Sequence, residues 1–253
     1  MNLRKLMESW QKRGVTFGRR SGLLRRKEAL EGIMKESLTF LRDTEGLVLD
    51  VGCGDGIPAT ALVQNHPVLG LDFSSTMLHR AHVNLPSVDL LRGSIDHLPL
   101  RDGSVPAATC YFVLSDYDNR RALIGELRRV LMPLGRLVVA DYSSNDDFNN
   151  LLDDLQKKVL GKDRGMFRLD MDMLSGELRD TGFNIRGSKE MSYPINMTLT
   201  TFVDQLHLSS VGVEYKERHL SEEKWRELLP GRLVGSEIRL ARRFALVLAE
   251  KVR

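Results

Sequence analysis

Two aspartates, Asp50 and Asp72, each close a short apolar run, and Gly52, Gly54 and Gly56 follow the first at alternate positions. A carboxylate at a strand tip can accept two hydrogen bonds from a ribose diol, which an aliphatic residue could not. The glycines lack Cβ atoms, so the backbone can turn with positive φ and approach a ligand closely. Pro58 suits the first helical turn, where its missing N–H is one the helix could not use. Leu47 to Pro58 therefore reads as a buried parallel strand, a Gly-rich loop and a helix N-terminus, the parts of a nucleotide-type binding site. The spacing excludes two such sites. A G-x-G-x-x-G fingerprint would need glycine where Ile57 stands, and no G-x-x-x-x-G-K-[ST] phosphate loop occurs.

Asp72 lies roughly one β–α–β step beyond Asp50, which sets the elements that must hold the pair. Helical periodicity covers about 24–42. Strands are expected at 46–51, 67–72, 88–92, 107–114 and 136–141, with helices at 57–65, 75–84 and 119–131. The span 143–180 opens acidic, with Asp146, Asp147, Asp153 and Asp154, and then turns helical. A sixth strand is expected at about 183–189 and a last at 244–249, with helical periodicity at 198–208 and 221–229 between them. No internal repeat or low-complexity linker interrupts the chain. A basic helical extension at 1–43 and one domain at 44–253, with insertions near 143–175 and 192–236, is the expected organisation.

Asp50-Val51-Gly52-Cys53-Gly54-Asp55-Gly56 resembles motif I of the class I S-adenosylmethionine-dependent methyltransferases. Asp72-Phe73-Ser74-Ser75-Thr76-Met77-Leu78 looks like the family's acid, aromatic, small-polar and Met-Leu run. Leu91 to Leu100 resembles its third-strand segment, Leu123 to Val139 its fourth helix and following turn, and Thr181-Gly182-Phe183 its turn into strand six. The resemblance spans about residues 45–190 and is nearest the small-molecule branch, which includes quinone and lipid-precursor methyltransferases. It implies an α/β fold: a Rossmann-like, seven-stranded, mostly parallel sheet with helices on both faces and helical insertions forming a lid. It implies S-adenosyl-L-methionine as cofactor. Gly52, Cys53, Gly54 and Gly56, with Asp50 beneath, would then hold the methionine end and Asp72 the ribose. Phe73 and Met77 would flank the adenine, and Ser94 and Ile95 would lie along its edge.

Three positions depart from the family pattern. Ser94 stands where many relatives carry the Asp that accepts from the adenine amino group, which shifts recognition toward the Ile95 backbone. Val105-Pro106 replaces a common Phe-Asp, and a proline is tolerated at the first residue of a strand. Pro133-Leu134-Gly135 replaces Pro-Gly-Gly, leaving one glycine to supply a positive φ.

The acceptor side is less defined. Leu114-Ser115-Asp116-Tyr117-Asp118-Asn119 falls where the family's methyl group points, and Asp116 or Tyr117 could orient or deprotonate an acceptor. Equally, Asp116 could cap the next helix and Tyr117 pack under the lid. Asp141-Tyr142 is open to the same two readings. The loop lacks the Asp/Asn-Pro-Pro-Tyr motif of base amino methylation and the cysteine pair of pyrimidine C5 chemistry. His79 and His82 fall on an exposed helix face, whereas His207 and His219 lie in the second insertion, within possible reach of the site.

The composition of the 253 residues, 42% hydrophobic, suits one globular α/β domain. No apolar run approaches the ~20 residues that span a bilayer, and Met1 to Leu6 lacks the apolar core of a secretory signal. Cys53 and Cys110 are too few for a metal cluster or disulfide framework and read as small buried hydrophobes. A cytoplasmic, reduced setting without a metal is expected. The net charge of +3 is concentrated at the start, where Arg4, Lys5, Lys12, Arg13, Arg19, Arg20, Arg25, Arg26 and Lys27 face only Glu8 and Glu28. Methyl transfer to a small, partly apolar acceptor is the leading expectation. A tRNA or rRNA methyltransferase using the basic segment is the first alternative, and a cofactor-binding regulatory protein without catalysis is the second.

Overall fold

A computed structural model describes residues 26–117, 119–161, 168–208, 220–229 and 231–253. The basic residues before 26, Asp118 and His219 lie outside them, as does the side chain of His207.

Helix α1 (Arg26–Leu41) leads into five parallel strands: β1 (Val48–Val51), β2 (Val68–Asp72), β3 (Asp89–Arg92), β4 (Val105–Tyr111) and β5 (Leu131–Tyr142). Helices α2 (Ala59–Leu62), α3 (Ser75–Asn84) and α4 (Arg120–Val130) fall between them. Beyond β5 come α5 (Asp147–Leu155), α6 (Met171–Asp180), β6 (Phe183–Thr198), α7 (Leu199–Leu208), α8 (Glu222–Leu228), β7 (Leu233–Val234) and β8 (Glu237–Lys251). The sheet order is β3-β2-β1-β4-β5-β8-β6, with β8 antiparallel to both neighbours. The expected seven-stranded, mostly parallel sheet is present, and β7 adds an eighth strand of two residues paired with β8.

All four residues of β1 are buried, as a strand covered by helices on both faces requires. On one face, Leu123, Ile124, Leu127 and Val130 of α4 pack with Leu174 and Leu178 of α6 against Leu49, Val51, Leu137 and Val139. On the other, Ala29, Ile33, Met34 and Leu41 of α1 pack with Ala107, Tyr111, Val138 and Ala140. Asn119 caps α4 by accepting from the Ala122 N–H, and Arg128 and Arg129 in its last turn suit the helix dipole.

Several expected boundaries shift. The helix expected at 57–65 is regular only over Ala59–Leu62, and beyond it the Asn65 and His66 N–H groups both donate to the Leu62 carbonyl. Strand four begins at Val105, with Pro106 inside it, and ends at Tyr111. Phe112 then takes a left-handed φ of 58°, and a 3-10 turn occupies Leu114–Asp116. In the Pro133-Leu134-Gly135 turn the positive φ, 64°, falls on Leu134 and not on Gly135. Gly135 is required for another reason: a Cβ there would sit 2.8 Å from the Met132 carbonyl oxygen.

The largest difference is at the end of the chain. Strand six runs to Thr198 and the last strand starts at Glu237, so the two form one long antiparallel pair, Phe183↔Lys251 to Thr198↔Glu237. Residues 192–198 of the segment expected at 192–236 are therefore strand, and 199–236 connect the two strands. Pro194 masked this. It lies opposite Ala241, whose N–H points the other way, to the Asp147 carboxylate at 3.0 Å, so the pair is one that exchanges no ladder bonds. The missing N–H of Pro194 then faces the free edge of the sheet, where it costs nothing.

Elements from the two segments expected as insertions pack together. Phe148, Leu151, Leu152 and Leu155 of α5 pack with Leu199, Phe202 and Leu206 of α7, Trp225 of α8, and Ile238 and Leu240 of β8. This third apolar cluster is separate from the two that cover the sheet.

Candidate cofactor and acceptor site

The chain winds from β1 to β3 in one direction and from β4 to β5 in the other, so the order reverses between β1 and β4. Ligands of open α/β sheets bind in the crevice outside the carboxyl ends of the strands at such a point. Asp50 and the glycine loop leave β1 there, and Phe112 and Val113 leave β4. The two loops touch: a Cβ on Gly52 would sit 2.4 Å from Val113 Cγ2.

Asp50 is 1% exposed. Its Oδ1 accepts from Thr109 Oγ1 at 2.8 Å, and its Oδ2 has no partner among the described residues. Burial pushes the carboxyl up to about 7; the Asp72 charge adds to this and the Thr109 hydrogen bond opposes it. Gly52, Gly54 and Gly56 all take positive φ, at 72°, 56° and 79°.

Asp72 ties the loop to the next helix. Its Oδ2 accepts from the Gly54 N–H at 3.0 Å and its Oδ1 from the Ser74 N–H at 2.8 Å. Ser74 in turn caps α3 by accepting from the Met77 N–H. Burial raises the Asp72 carboxyl against these two bonds. Buried Met77 lies under the loop, its Cε 3.3 Å from where a Cβ on Gly54 would be, and Phe73 beside it is half-buried. The Cys53 side chain turns away, with Sγ against Gly70 of β2, so only its backbone can face a ligand. Burial and the charges of Asp50, Asp72 and Asp55 keep its thiol protonated.

Ser94 and Ile95 follow β3, and Gly93 N–H donates to the Asp72 carbonyl at 3.1 Å, so this segment adjoins the β2 tip. Ile95 is buried, Ser94 is half-buried, and the Ser94 hydroxyl donates to the Asp96 carboxylate. The loop before strand four is braced from α4. Arg129 donates to the Leu98 and Leu100 carbonyls at 2.8 Å each, and Glu126 accepts from the Leu98 N–H at 2.7 Å.

Asp116 does not cap α4, since Asn119 does; it lies half-buried in the 3-10 turn. Tyr117 is buried, and its hydroxyl has no hydrogen-bond partner among the described residues. Burial, with the Asp96, Asp116 and Asp72 charges, raises its phenol far above neutrality. It can donate a hydrogen bond but is no base near pH 7. Asp141, fully buried, anchors the same turn: it accepts from the Ser115 N–H at 2.8 Å and the Tyr142 N–H at 2.7 Å. Burial, helped by Asp116, lifts its carboxyl to about 7. His79 and His82 are exposed on α3.

Past β5, Phe112, Tyr142, Tyr193 and Phe244 form a ring cluster with centroids 5.3–6.0 Å apart. Buried Arg242 lies over Tyr142, Phe148 and Phe244 at 4.8, 4.9 and 5.6 Å, paired with Asp146 at 3.2 Å. Asp146 and Asp147 also accept from the Arg243 and Ala241 N–H groups, closing the β8 edge that β5 leaves open. Sequence reasoning passed over Arg242, Thr109 and Arg129. Only Thr109 left a signal, as a polar residue inside the buried run of β4.

The methyltransferase domain family matches residues 49–139. A demethylmenaquinone methyltransferase of Thermotoga maritima is 37% identical over 97 residues, 37% of this chain and 42% of that protein. The chain spans less than half the length of the demethylmenaquinone methyltransferases it matches. An uncharacterised methyltransferase-like protein of Schizosaccharomyces pombe is 28% identical over 189 residues, 73% of this chain and 72% of its own. In fold, the chain is similar to the YcgJ protein of Bacillus subtilis, with TM-score 0.65 and 18% identity over 88% of this chain and 99% of that one. The domain match over β1 to β5 and the methyltransferase relatives along that stretch, with the shared fold, support a class I S-adenosylmethionine-dependent methyltransferase.

Proposed function

We propose that this chain binds S-adenosylmethionine in the crevice between β1 and β4 and transfers its methyl group to a small, partly apolar acceptor. The observation that carries the reading is Asp50: a buried carboxyl with one oxygen unpartnered among the described residues, beneath three glycines of positive φ. A buried acceptor left open costs folding free energy unless a ligand completes it, and a cationic amino group suits it. Asp72 spends two of its roughly four acceptor sites on Gly54 and Ser74, leaving two for a ribose diol. Met77, Phe73, Ser94 and Ile95 border the same crevice and would hold the adenine.

The cofactor, when bound, supplies a sulfonium methyl already activated for in-line displacement. The protein's share is alignment and exclusion of water. Tyr117 serves as a donor that orients the acceptor, and any proton taken at this site falls to Asp116. The ring cluster around Arg242 and the third apolar cluster favour an acceptor with apolar surface, as do the relatives named demethylmenaquinone methyltransferases.

Calorimetric titration with S-adenosylhomocysteine, on wild type and Asp72→Asn, tests the cofactor reading. Micromolar binding that weakens at least about tenfold in the variant is expected, the cost of about one lost charged hydrogen bond. No binding to wild type at millimolar ligand sinks it. Turnover at rising salt tests the acceptor. An apolar acceptor leaves the rate nearly indifferent, whereas a steep fall with tRNA as acceptor would replace this reading with the nucleic-acid one.

A further inference from the structure

A hydroxyl is ordinarily ambivalent, able to donate its one proton or to accept on its lone pairs. That of Ser94 is not free to choose, because its proton is committed to the Asp96 carboxylate, which can only accept when ionised. The turn that carries both is fixed. Ser94 and His97 form an isolated antiparallel bridge, the His97 N–H donates to the Ser94 carbonyl at 3.3 Å, and buried Ile95 pins the turn to the core. Glu126 and Arg129 hold Leu98 directly after it. The Gly93–Asp72 backbone bond sets the turn beside the β2 tip.

We propose that Asp96 is a positioning residue that makes the Ser94 hydroxyl an obligate acceptor, so that the site selects a 6-aminopurine nucleoside over its 6-oxo counterpart. An amino group donates to Ser94. A carbonyl oxygen there meets lone pairs and no proton, and one acceptor is left unpaired. Asp96 thus restores, through Ser94, the negative character that a carboxylate at 94 would supply directly. This rests on the adenine end of the cofactor lying along Ser94 and Ile95.

The test is calorimetric binding of S-adenosylhomocysteine and of S-inosylhomocysteine to four proteins: wild type, Asp96→Ala, Ser94→Ala and the double variant. Wild type is expected to prefer the adenosyl ligand by about tenfold or more. In Asp96→Ala the freed Ser94 proton can serve the 6-oxo group, so the preference narrows by at least about threefold because the inosyl ligand gains, and what remains is set at N1, which accepts in adenine and donates in hypoxanthine. The double variant should match Ser94→Ala, since Asp96 acts only through that hydroxyl. A preference that Asp96→Ala leaves unchanged overturns the proposal. So does a further loss when Asp96→Ala is added to Ser94→Ala, because Asp96 would then touch the base itself. Wild type that binds neither ligand refutes the cofactor reading and this proposal together, and is told apart because no ratio exists to compare. Both side chains reach solvent, and a thermal melt confirms that each variant is folded.

Discussion

The two sides of the crevice are built on different principles. On the β1–β3 side, the candidate ligand contacts are backbone turns and two carboxylates: Gly52, Gly54 and Gly56 at positive φ, with Asp72 holding the loop at Gly54 and Asp50 beneath it bonded to Thr109 of β4. On the β5–β8 side they are side chains from distant parts of the chain: Tyr142, Phe148, Arg242 and Phe244, brought together by a long strand pair and two insertions. A site made of backbone conformation accepts few residue types at fixed spacing. A site made of packed rings and ion pairs can be reached by many sequences. The first is therefore shared across a family, and the second is free to change with the acceptor.

If that contrast holds, the largest single effect belongs to the glycine loop. Gly52→Val adds a branched side chain where φ is 72° and Val113 Cγ2 already stands 2.4 Å from a Cβ. S-adenosylhomocysteine binding should fall beyond detection, at least about a hundredfold, and stability should fall by about 2–3 kcal/mol from left-handed strain in a branched residue. Calorimetry with a denaturant melt checks both, and near-normal binding would break the contrast from the cofactor side.

Phe202→Ala is the matching change on the other side. Phe202 is fully buried in the third cluster, edge-on to Phe148 at 6.2 Å. Its loss should cost about 3 kcal/mol in the insertions. Amide exchange should speed up across α5, α7 and α8 while S-adenosylhomocysteine affinity stays within about twofold of wild type. Equal damage to cofactor affinity would show that the two sides are one unit.

The same contrast explains what could be read from the sequence. Asp50, the glycines and Asp72 were legible because each requirement is local: strand, turn, cap. Helix α3, with its Ser74 cap, fell where expected for that reason. The long β6–β8 pair was hidden because Pro194 and its polar neighbours break the pattern of a strand, and only the partner at Ala241 makes the proline harmless. Asp141 was open to both a chemical and a structural reading, and its anchoring of the Ser115 turn was not legible, since its partners are backbone groups that no residue pattern announces.

Asp50 and Asp141 also allow the two sides to be compared by pH. Burial raises both carboxyls from 3.8 to about 7, so the folded state binds protons that the unfolded chain has released between those values. The stability each contributes is full below about pH 4 and is lost as pH rises through 7. Unfolding free energy of the ligand-free protein should therefore decline across that window, and Asp50→Asn or Asp141→Asn should each remove a similar part of the slope, with the burial-raised carboxyls of Asp72 and Asp146 carrying the rest. Adding S-adenosylhomocysteine should change the share that Asp50→Asn removes and leave that of Asp141→Asn alone. A ligand effect on both, or on neither, would place the cofactor differently.

The smallest effect lies far from either side and separates backbone energetics from chemistry. Leu134 is held at φ 64°, in the left-handed region, while Gly135 beside it is not among the positive-φ residues. Leu134 is 44% exposed, so its side chain contributes little burial to set against the strain. Left-handed backbone costs a non-glycine residue about 1–2 kcal/mol, and glycine returns up to about 1 kcal/mol of that through the greater freedom of its unfolded chain. Leu134→Gly should thus stabilise the protein by about 0.5–1 kcal/mol. Gly135→Ala should destabilise it, because the new methyl would meet the Met132 carbonyl at 2.8 Å. Opposite signs at adjacent positions, with ligand affinity unchanged in both, would show that the departure from two glycines is a cost borne in the turn alone. A destabilised Leu134→Gly would mean that the leucine is held there by packing, and that the turn is not strained.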